Sequence, residues 1–131
     1  MSDAESPIFT LSEANKIVER IKPLMAEVLA IREAILASQA DLWPAVERSA
    51  GNGGNLAMSK LVETFGRLDA LLHEIQRTGA IVKDVNTGLV DFRAVRAGRE
   101  VYLCWKHGEA AIQFWHEVDA GFQGRQPIEA F

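Results

Sequence analysis

The residues best suited to chemistry lie close together in the last third of the chain, within segment 98–127. This segment contains the only Cys, the only Tyr, two of the three Trp and two of the three His residues. Its thiol, imidazole and carboxylate groups could ligate a transition metal or act as acid and base. These groups belong to Cys104, His107, His116, Glu117 and Asp119. No stretch matches a recognised catalytic signature, so the segment indicates where a site could lie and not which reaction it performs.

The pairing of the strands in this segment decides which of these groups can meet. A turn at His107-Gly108 places Lys106 opposite Glu109 and Leu103 opposite Ile112, and one face of the hairpin is then wholly apolar and predicts core. The apolar face comprises Val101, Leu103, Trp105, Ala110, Ile112 and Phe114. The other face is mixed and comprises Glu100, Tyr102, Cys104, Lys106, Gln113, Trp115 and Glu117. With two large aromatics, the mixed face is expected to be covered by chain, buried in a homodimer or part of a pocket.

This register argues against a metal site, because it puts Cys104 and His116 on opposite faces of the hairpin. A zinc ion needs about four ligands at roughly 2.0–2.3 Å. A smaller site at His116 with Asp91 or Asp119 stays open, and no cofactor is expected. Cys104 has no His on its own face, so we interpret it as a buried structural cysteine and not as a nucleophile.

A second group of candidates is basic and consists of Arg93, Arg96, Arg99 and Arg125. The glycine-flanked loop 121–125 offers backbone amides beside an arginine, which suits a carboxylate or phosphate ligand. The favoured alternative is that these arginines pair with the neighbouring carboxylates of Asp91, Glu117 and Asp119.

The first half of the chain is predicted to be helical. Thr10 and Glu13 fit a capping box, and apolar residues then recur at heptad spacing from Ala14 to Leu42. Pro23 predicts a kink or an early end near Lys22. Helix 1 is expected to end between 43 and 49, followed by a loop at 49–55 and a second helix over 56–78 whose seam includes Phe65.

After Gly79 the apolar period changes to two, which predicts strands at 81–85, 89–92, 100–105 and 110–116, with a turn or one helical turn at 93–99. The whole pattern predicts an α+β fold in a single domain, 1–131. It comprises a long antiparallel helical hairpin (10–78), a small antiparallel β-sheet of two hairpins (80–118) and an irregular tail (119–131).

Composition excludes several classes of protein. The net charge of −4 and a pI of about 5.4 argue against nucleic acid and anionic membranes as partners, because both demand a basic surface. No apolar window of about 18 residues predicts a membrane span, and the N-terminus does not look like a signal peptide. A single cysteine excludes an intramolecular disulfide and fits a cytoplasmic location.

Four segments are distinctive as a set: FTLSEAN at 9–15, GLVDF at 88–92, GREVYLCW at 98–105 and FWHEVDAGFQGRQP at 114–127. In these segments the chain resembles a family of small bacterial proteins, the domain-of-unknown-function family 2203 (DUF2203). The resemblance implies a cytoplasmic prokaryotic protein without an assigned activity, and therefore supplies no catalytic residues. His107 lies outside the sequence pattern of this family.

The leading functional hypothesis is a non-enzymatic binding or assembly module that forms a homodimer and binds a small anionic ligand or a protein partner. Its binding surface is predicted at Asp91, Arg99, His116, Glu117, Asp119 and Arg125. The alternative is a metal-assisted or hydrolytic enzyme that uses His116 and nearby carboxylates. A third hypothesis is a regulator that binds another protein through exposed apolar residues of helix 1.

Overall fold

The computed structural model describes residues 6–38, 56–129 and 131, and within them two helices precede the sheet. Helix α1 spans Leu11–Ala37 and helix α2 spans Leu56–Arg77. The expected end of helix 1 at 43–49 is wrong, because α1 ends at Ala37 with Ser38 as its C-cap. The expected loop at 49–55 lies outside the described residues. Neither described helix is long and apolar enough to cross a membrane.

Helix α1 begins as the sequence predicts. The Thr10 side chain accepts a hydrogen bond from the Glu13 backbone amide at 3.1 Å, and the Glu13 carboxylate accepts one from the Thr10 amide at 2.8 Å. The expected early end near Lys22 is wrong, because the helix continues through Pro23 to Ala37. Packing of the surrounding apolar face outweighs the loss of one backbone hydrogen bond at the proline.

In the described part of the chain, five strands form one antiparallel sheet in the order β1-β2-β3-β4-β5. The strands are β1 Ile81–Asp84, β2 Leu89–Arg96, β3 Arg99–Lys106, β4 Phe114–Glu117 and β5 Gln126–Pro127. The expected turn at 93–99 is too long, because β2 continues to Arg96 and a two-residue turn follows. Ala97 and Gly98 both have positive φ, 54° and 75°, as a tight hairpin turn requires. The tail is also more regular than expected, since it contains β5.

The helices and the inner face of the sheet enclose one hydrophobic core. Fully buried residues recur along α1 at Ala14, Val18, Ile21, Met25 and Val28. The inner face contributes Val90, Phe92, Ala94, Val101, Leu103, Trp105 and Trp115. On α2 the expected seam position Phe65 is instead 50% exposed, because the buried side of this helix is centred on Leu71 and Ile75.

The register expected for the hairpin of β3 and β4 is wrong by three residues. Tyr102 pairs with His116 and Leu103 pairs with Trp115. The chain leaves the sheet after Lys106 because helix α1 binds the connecting segment: the Ile112 amide donates to Asn15 Oδ1 at 2.9 Å, and Lys22 Nζ donates to the Ala110 carbonyl at 2.7 Å. An odd shift moves every side chain of β4 to the other face, so His116 joins Cys104 and Trp115 enters the core.

The outer face of the sheet, which points away from the helices, is covered by the chain that follows β4. Val118, Gly121 and Phe122 lie over this face and line a cavity on it. Arg125 stacks on Phe114, with 4.2 Å between the guanidinium carbon and the ring centroid. Tyr102 and Cys104 on the outer face are therefore as buried as the core residues, at 5% and 0% exposure.

The N-terminal segment before α1 packs closely on Gly79, and this contact supplies a test of the fold. Gly79 and Gly108 have nearly the same φ, +97° and +103°. A Cβ atom at Gly79 would lie 2.6 Å from Pro7 and 2.8 Å from Phe9, whereas one at Gly108 would meet no described atom within 4 Å. Both Ala substitutions therefore incur the left-handed backbone penalty of about 1–2 kcal/mol. Because its new Cβ also overlaps Pro7 and Phe9, Gly79→Ala should lower the free energy of unfolding by about 1–3 kcal/mol more than Gly108→Ala does. Urea denaturation of the two variants measures this difference. Equal losses in the two variants would contradict this packing.

Candidate functional site

Three buried side chains capable of metal coordination meet on the outer face. Asp91 of β2 lies directly opposite Cys104 of β3, and His116 of β4 lies diagonally across from Cys104. Their ligand atoms all lie within 4.8 Å of one another. The residues are 2%, 0% and 3% exposed, respectively. We refer to this group as the Asp91–Cys104–His116 cluster.

The hydrogen bonds of His116 define how its ring is oriented and protonated. Its Nδ1 lies 2.8 Å from the Glu117 carbonyl oxygen, which can only accept, so Nδ1 donates. Its Nε2 lies 3.0 Å from Asp91 Oδ2 and shares a proton with that carboxylate. Burial lowers the pKa of His116, but the hydrogen bonds to Asp91 and Glu117 and the charge of Asp91 outweigh it, so the net pKa is raised. The raised pKa favours the imidazolium–carboxylate pair over a neutral His116 ring.

Cys104 is held as a neutral thiol in this setting. Burial, followed by the negative charge of Asp91, raises the pKa of Cys104 to about 12, although Arg125 opposes the shift. At neutral pH the thiolate fraction is negligible, so Cys104 is not an activated nucleophile. A divalent cation would reverse this balance, because it stabilises a thiolate and a carboxylate together.

The cluster matches the ligand chemistry of zinc and related transition metals. Thiolate and imidazole ligands select such ions over magnesium or calcium. The Glu117 carbonyl fixes the His116 ring and leaves Nε2 directed at the cluster, which is the orientation that metal-binding histidines usually have. Asp91 Oδ1 is buried without a nitrogen or oxygen donor among the described residues, and the Cys104 thiol is the hydrogen-bonding neighbour of this carboxylate. A cation that displaced the thiol proton would contact both groups.

The spacing of the ligand atoms requires only a small adjustment to hold a metal. Tetrahedral zinc with bond lengths near 2.0–2.3 Å places its ligand atoms about 3.3–3.7 Å apart. The pair Nε2 and Oδ2 is slightly closer than this, at 3.0 Å, and the most separated atoms of the cluster lie within 4.8 Å. Side-chain rotations that move each ligand atom by about 1 Å or less would bring the three groups to the bond lengths of one ion.

A cavity of about 160 Å³ opens beside the cluster. Asp91 and His116 form part of its wall, and Lys83 and Tyr102 add a cation and a phenol. The rest of the wall is Leu89, Val118, Gly121 and Phe122. A larger cavity of about 330 Å³ is lined mainly by apolar residues, including Phe9, Val95 and Phe131, and shares no lining residue with the first. The polar side chains of the larger cavity are Thr10 and Glu13, which form the helix cap, whereas the smaller cavity adjoins the Asp91–Cys104–His116 cluster.

The structure brings together two of the six residues expected at the binding surface, Asp91 and His116. Arg99 and Glu117 pair with each other on the inner side of the sheet, beyond Val101. Arg125 pairs with Glu109 at 2.8 Å, and both side chains are less than one-fifth exposed. Asp119 is exposed in the turn after β4.

The remaining arginines also have local partners. Arg93 pairs with Glu100 at 2.5 Å and donates to the Ser6 carbonyl. Arg96 stacks on Trp115 with 4.6 Å between the guanidinium carbon and the ring centroid. The arginines therefore do not converge on one anion site.

Sequence reasoning missed Cys104 as a member of the site because it used the wrong register for β4. One signal could have found half of the cluster. A two-residue turn at Ala97-Gly98 places Asp91 directly opposite Cys104, which is the pairing observed. The position of His116 could not be found in this way, because it depends on contacts between helix α1 and the segment before β4.

Comparison with known proteins assigns the family and no activity. No curated protein and no solved structure matches the chain. A family model described as an uncharacterized conserved protein (DUF2203) matches residues 7–128, which include both described helices, the sheet and all three residues of the cluster. The chain therefore belongs to the DUF2203 family of uncharacterised conserved proteins.

Proposed function

We propose that this protein is a metal-binding module that holds one divalent transition metal, zinc in the first instance, at Asp91, Cys104 and His116. The single observation that carries the proposal is the convergence of three buried ligand atoms within 4.8 Å. This replaces the surface expected from the sequence with a more compact site that keeps Asp91 and His116. It also gives Cys104 a role beyond packing.

The electrostatics of the cluster support a cation at this position. A buried carboxylate is unfavourable unless it is hydrogen-bonded or paired with positive charge. Asp91 is held by His116 at Oδ2 and by the neighbouring Cys104 thiol, and no nitrogen or oxygen donor among the described residues reaches Oδ1. A divalent ion would satisfy the carboxylate, the thiolate and the imidazole together.

A homodimer remains part of the proposal on separate grounds. Val62 and Phe65 of α2 are 67% and 50% exposed, and such side chains favour an apolar partner surface. This contact would be remote from the cluster in sequence and does not contribute ligands to it. A regulator that acts through helix 1 has less support, because the apolar stripe of that helix is largely buried.

The first test is metal binding by purified, chelator-treated protein. We expect one equivalent of Zn²⁺ to bind in competition with a chromophoric chelator. Cys104→Ser, which keeps the size of the side chain, should weaken binding by at least about 100-fold, since even residues that only orient metal ligands are worth 10–100-fold. Asp119→Asn and His73→Gln should bind as the wild type does, because both residues are exposed and outside the cluster.

Cobalt provides a test that needs no variant. Co²⁺ bound to a thiolate has a charge-transfer band in the near ultraviolet, so the wild-type protein should show this band at one equivalent. Cys104→Ala should lack it while its far-ultraviolet circular dichroism stays native. A wild-type protein that binds no stoichiometric Zn²⁺ or Co²⁺ would overturn the proposed function.

The pH dependence of binding is a second prediction. Below the raised pKa of His116, the metal must displace one proton from the His116–Asp91 pair and one from the Cys104 thiol. Apparent affinity should therefore rise about 100-fold per pH unit in that range. Above the pKa of His116 only the thiol proton remains to be displaced. The apparent affinity should then increase by only about tenfold per pH unit, until the pH approaches the Cys104 pKa of about 12.

Calorimetry in buffers of different ionisation enthalpy measures these protons directly. At pH 6 we expect about two protons to be released for each ion bound by the wild type, and about one by Cys104→Ser. Release of the same number of protons by both proteins would show that the thiol is not a ligand.

A further inference from the structure

Arg125 lies beside Cys104 in the segment that covers the outer face of the sheet. Its guanidinium stacks on Phe114, which pairs with Cys104 in the sheet, with 4.2 Å between the guanidinium carbon and the ring centroid. The ring of Phe122 contacts the same guanidinium at 4.9 Å. Nη2 of Arg125 lies 3.4 Å from the Cys104 carbonyl oxygen. The two rings and the backbone contact therefore hold the guanidinium next to Cys104.

The ion pair with Glu109 occupies only one nitrogen of this guanidinium. Nη2 donates to both carboxylate oxygens of Glu109, at 2.8 and 3.0 Å. An arginine has five N–H groups on three nitrogens. Nε of Arg125 is buried and has no hydrogen-bond partner among the described residues. The guanidinium therefore keeps donor capacity after its ion pair has formed.

Arg125 already acts on the side chain of Cys104. Burial and the charge of Asp91 raise the pKa of this thiol, and Arg125 opposes them through its charge and a hydrogen bond. A sulfur that has exchanged its proton for a metal carries more negative charge than a thiol, so a hydrogen bond from an ionised donor to it is stronger. Because Glu109 neutralises the guanidinium, the arginine offers this donor with little net repulsion of a metal.

We infer that Arg125 is a positioning residue of the proposed metal site and donates an N–H group to the metal-bound sulfur of Cys104. In this role the arginine faces a sulfur of the protein itself and not an external anion. Groups that orient metal ligands in this way are worth 10–100-fold in metal affinity. The inference rests on the proposed function and assigns to that site a residue that does not contact the metal.

The experiment compares two variants, because removing Arg125 alone would leave the carboxylate of Glu109 enclosed and unpaired. Glu109→Gln removes the ion pair and keeps an oxygen that can accept from the Lys106 amide, as Glu109 does at 2.7 Å. The double variant Glu109→Gln/Arg125→Met also removes the donor, while its unbranched side chain can still pack on Phe114. The two proteins therefore differ in the hydrogen bond to the sulfur.

The sulfur-to-cobalt charge-transfer band of the Co²⁺-saturated proteins is the main measurement. A thiolate that loses a hydrogen bond transfers charge to the metal at lower energy, so the band of the double variant should move to longer wavelength than that of Glu109→Gln. Its affinity for Co²⁺ should be about tenfold weaker, the lower end of the range for groups that orient metal ligands. An arginine that only stabilised the fold would not move the band of the saturated protein.

Lys106→Gln is the matched control for the loss of a nearby cation. Lys106 lies on the same strand as Cys104, and its Nζ is 5.8 Å from the Phe122 ring centroid. The charges that act on the Cys104 thiol are those of Asp91 and Arg125, so this variant should keep the wild-type band and affinity.

A measurement on the wild-type protein decides the question if the double variant does not fold. In protein loaded with ¹¹³Cd²⁺, NMR should detect scalar coupling between the metal and an arginine side-chain proton, which is transmitted through a hydrogen bond to the metal-bound sulfur. Absence of this coupling in that case would overturn the inference.

The remaining outcomes separate this inference from the proposed function. A folded double variant that binds Co²⁺ through Cys104 with the same band as Glu109→Gln would overturn the inference and leave the metal site standing. An equal band shift in Lys106→Gln would also overturn it, since any nearby cation would then have the same effect. Failure of the wild type to bind Co²⁺ or Zn²⁺ would overturn the proposed function itself.

Discussion

Two hydrogen bonds from helix α1 to the segment before β4 determine which side chains share the outer face of the sheet. Asn15 accepts from the Ile112 amide and Lys22 donates to the Ala110 carbonyl, at 2.9 and 2.7 Å. These bonds hold residues 110–112 against the helix, so β4 starts only at Phe114. The contacts of His116 with Asp91 and Cys104 depend on that register, because a shift of one or three residues would turn His116 into the core.

Strand β3 is covered on both faces, and the two faces have different chemistry. Val101, Leu103 and Trp105 point into the core, whereas Tyr102 and Cys104 point into the layer formed by the tail. Burial on both sides leaves little water to screen the charges of the outer face. Burial, and after it the charge of Asp91, therefore raises the pKa of the neighbouring Cys104 thiol.

The Asp91–Cys104–His116 cluster is not expected to contribute much to the stability of the fold. A buried ion pair often contributes no more to stability than apolar side chains of similar volume, and this one leaves a carboxylate oxygen without a normal partner among the described residues. Arg125 and Glu109 form a second enclosed ion pair close to the Cys104 carbonyl. The polar composition of the cluster therefore supports the proposed metal site.

Local chemistry in the sequence was sufficient for much of the fold. The capping box at Thr10 and Glu13, the change of apolar period after Gly79 and the α+β order all follow from neighbouring residues. The errors occurred where distant contacts compete with local preference. Helix α1 continues through Pro23, and Phe65 is displaced from the buried side of α2.

The sequence by itself determined the family, the order of helices and strands, and the segment in which chemistry is concentrated. The residue types that could bind a metal were also evident, since the only Cys and two of the three His residues lie in that segment. Only the tertiary structure decided that Cys104 and His116 lie on one face with Asp91. The reason is that successive side chains of a strand point to opposite faces, so the register decides which residues share a face. The register of β4 is set by helix α1, which is distant in sequence: Lys22 and Ala110, which are hydrogen-bonded, are 88 residues apart.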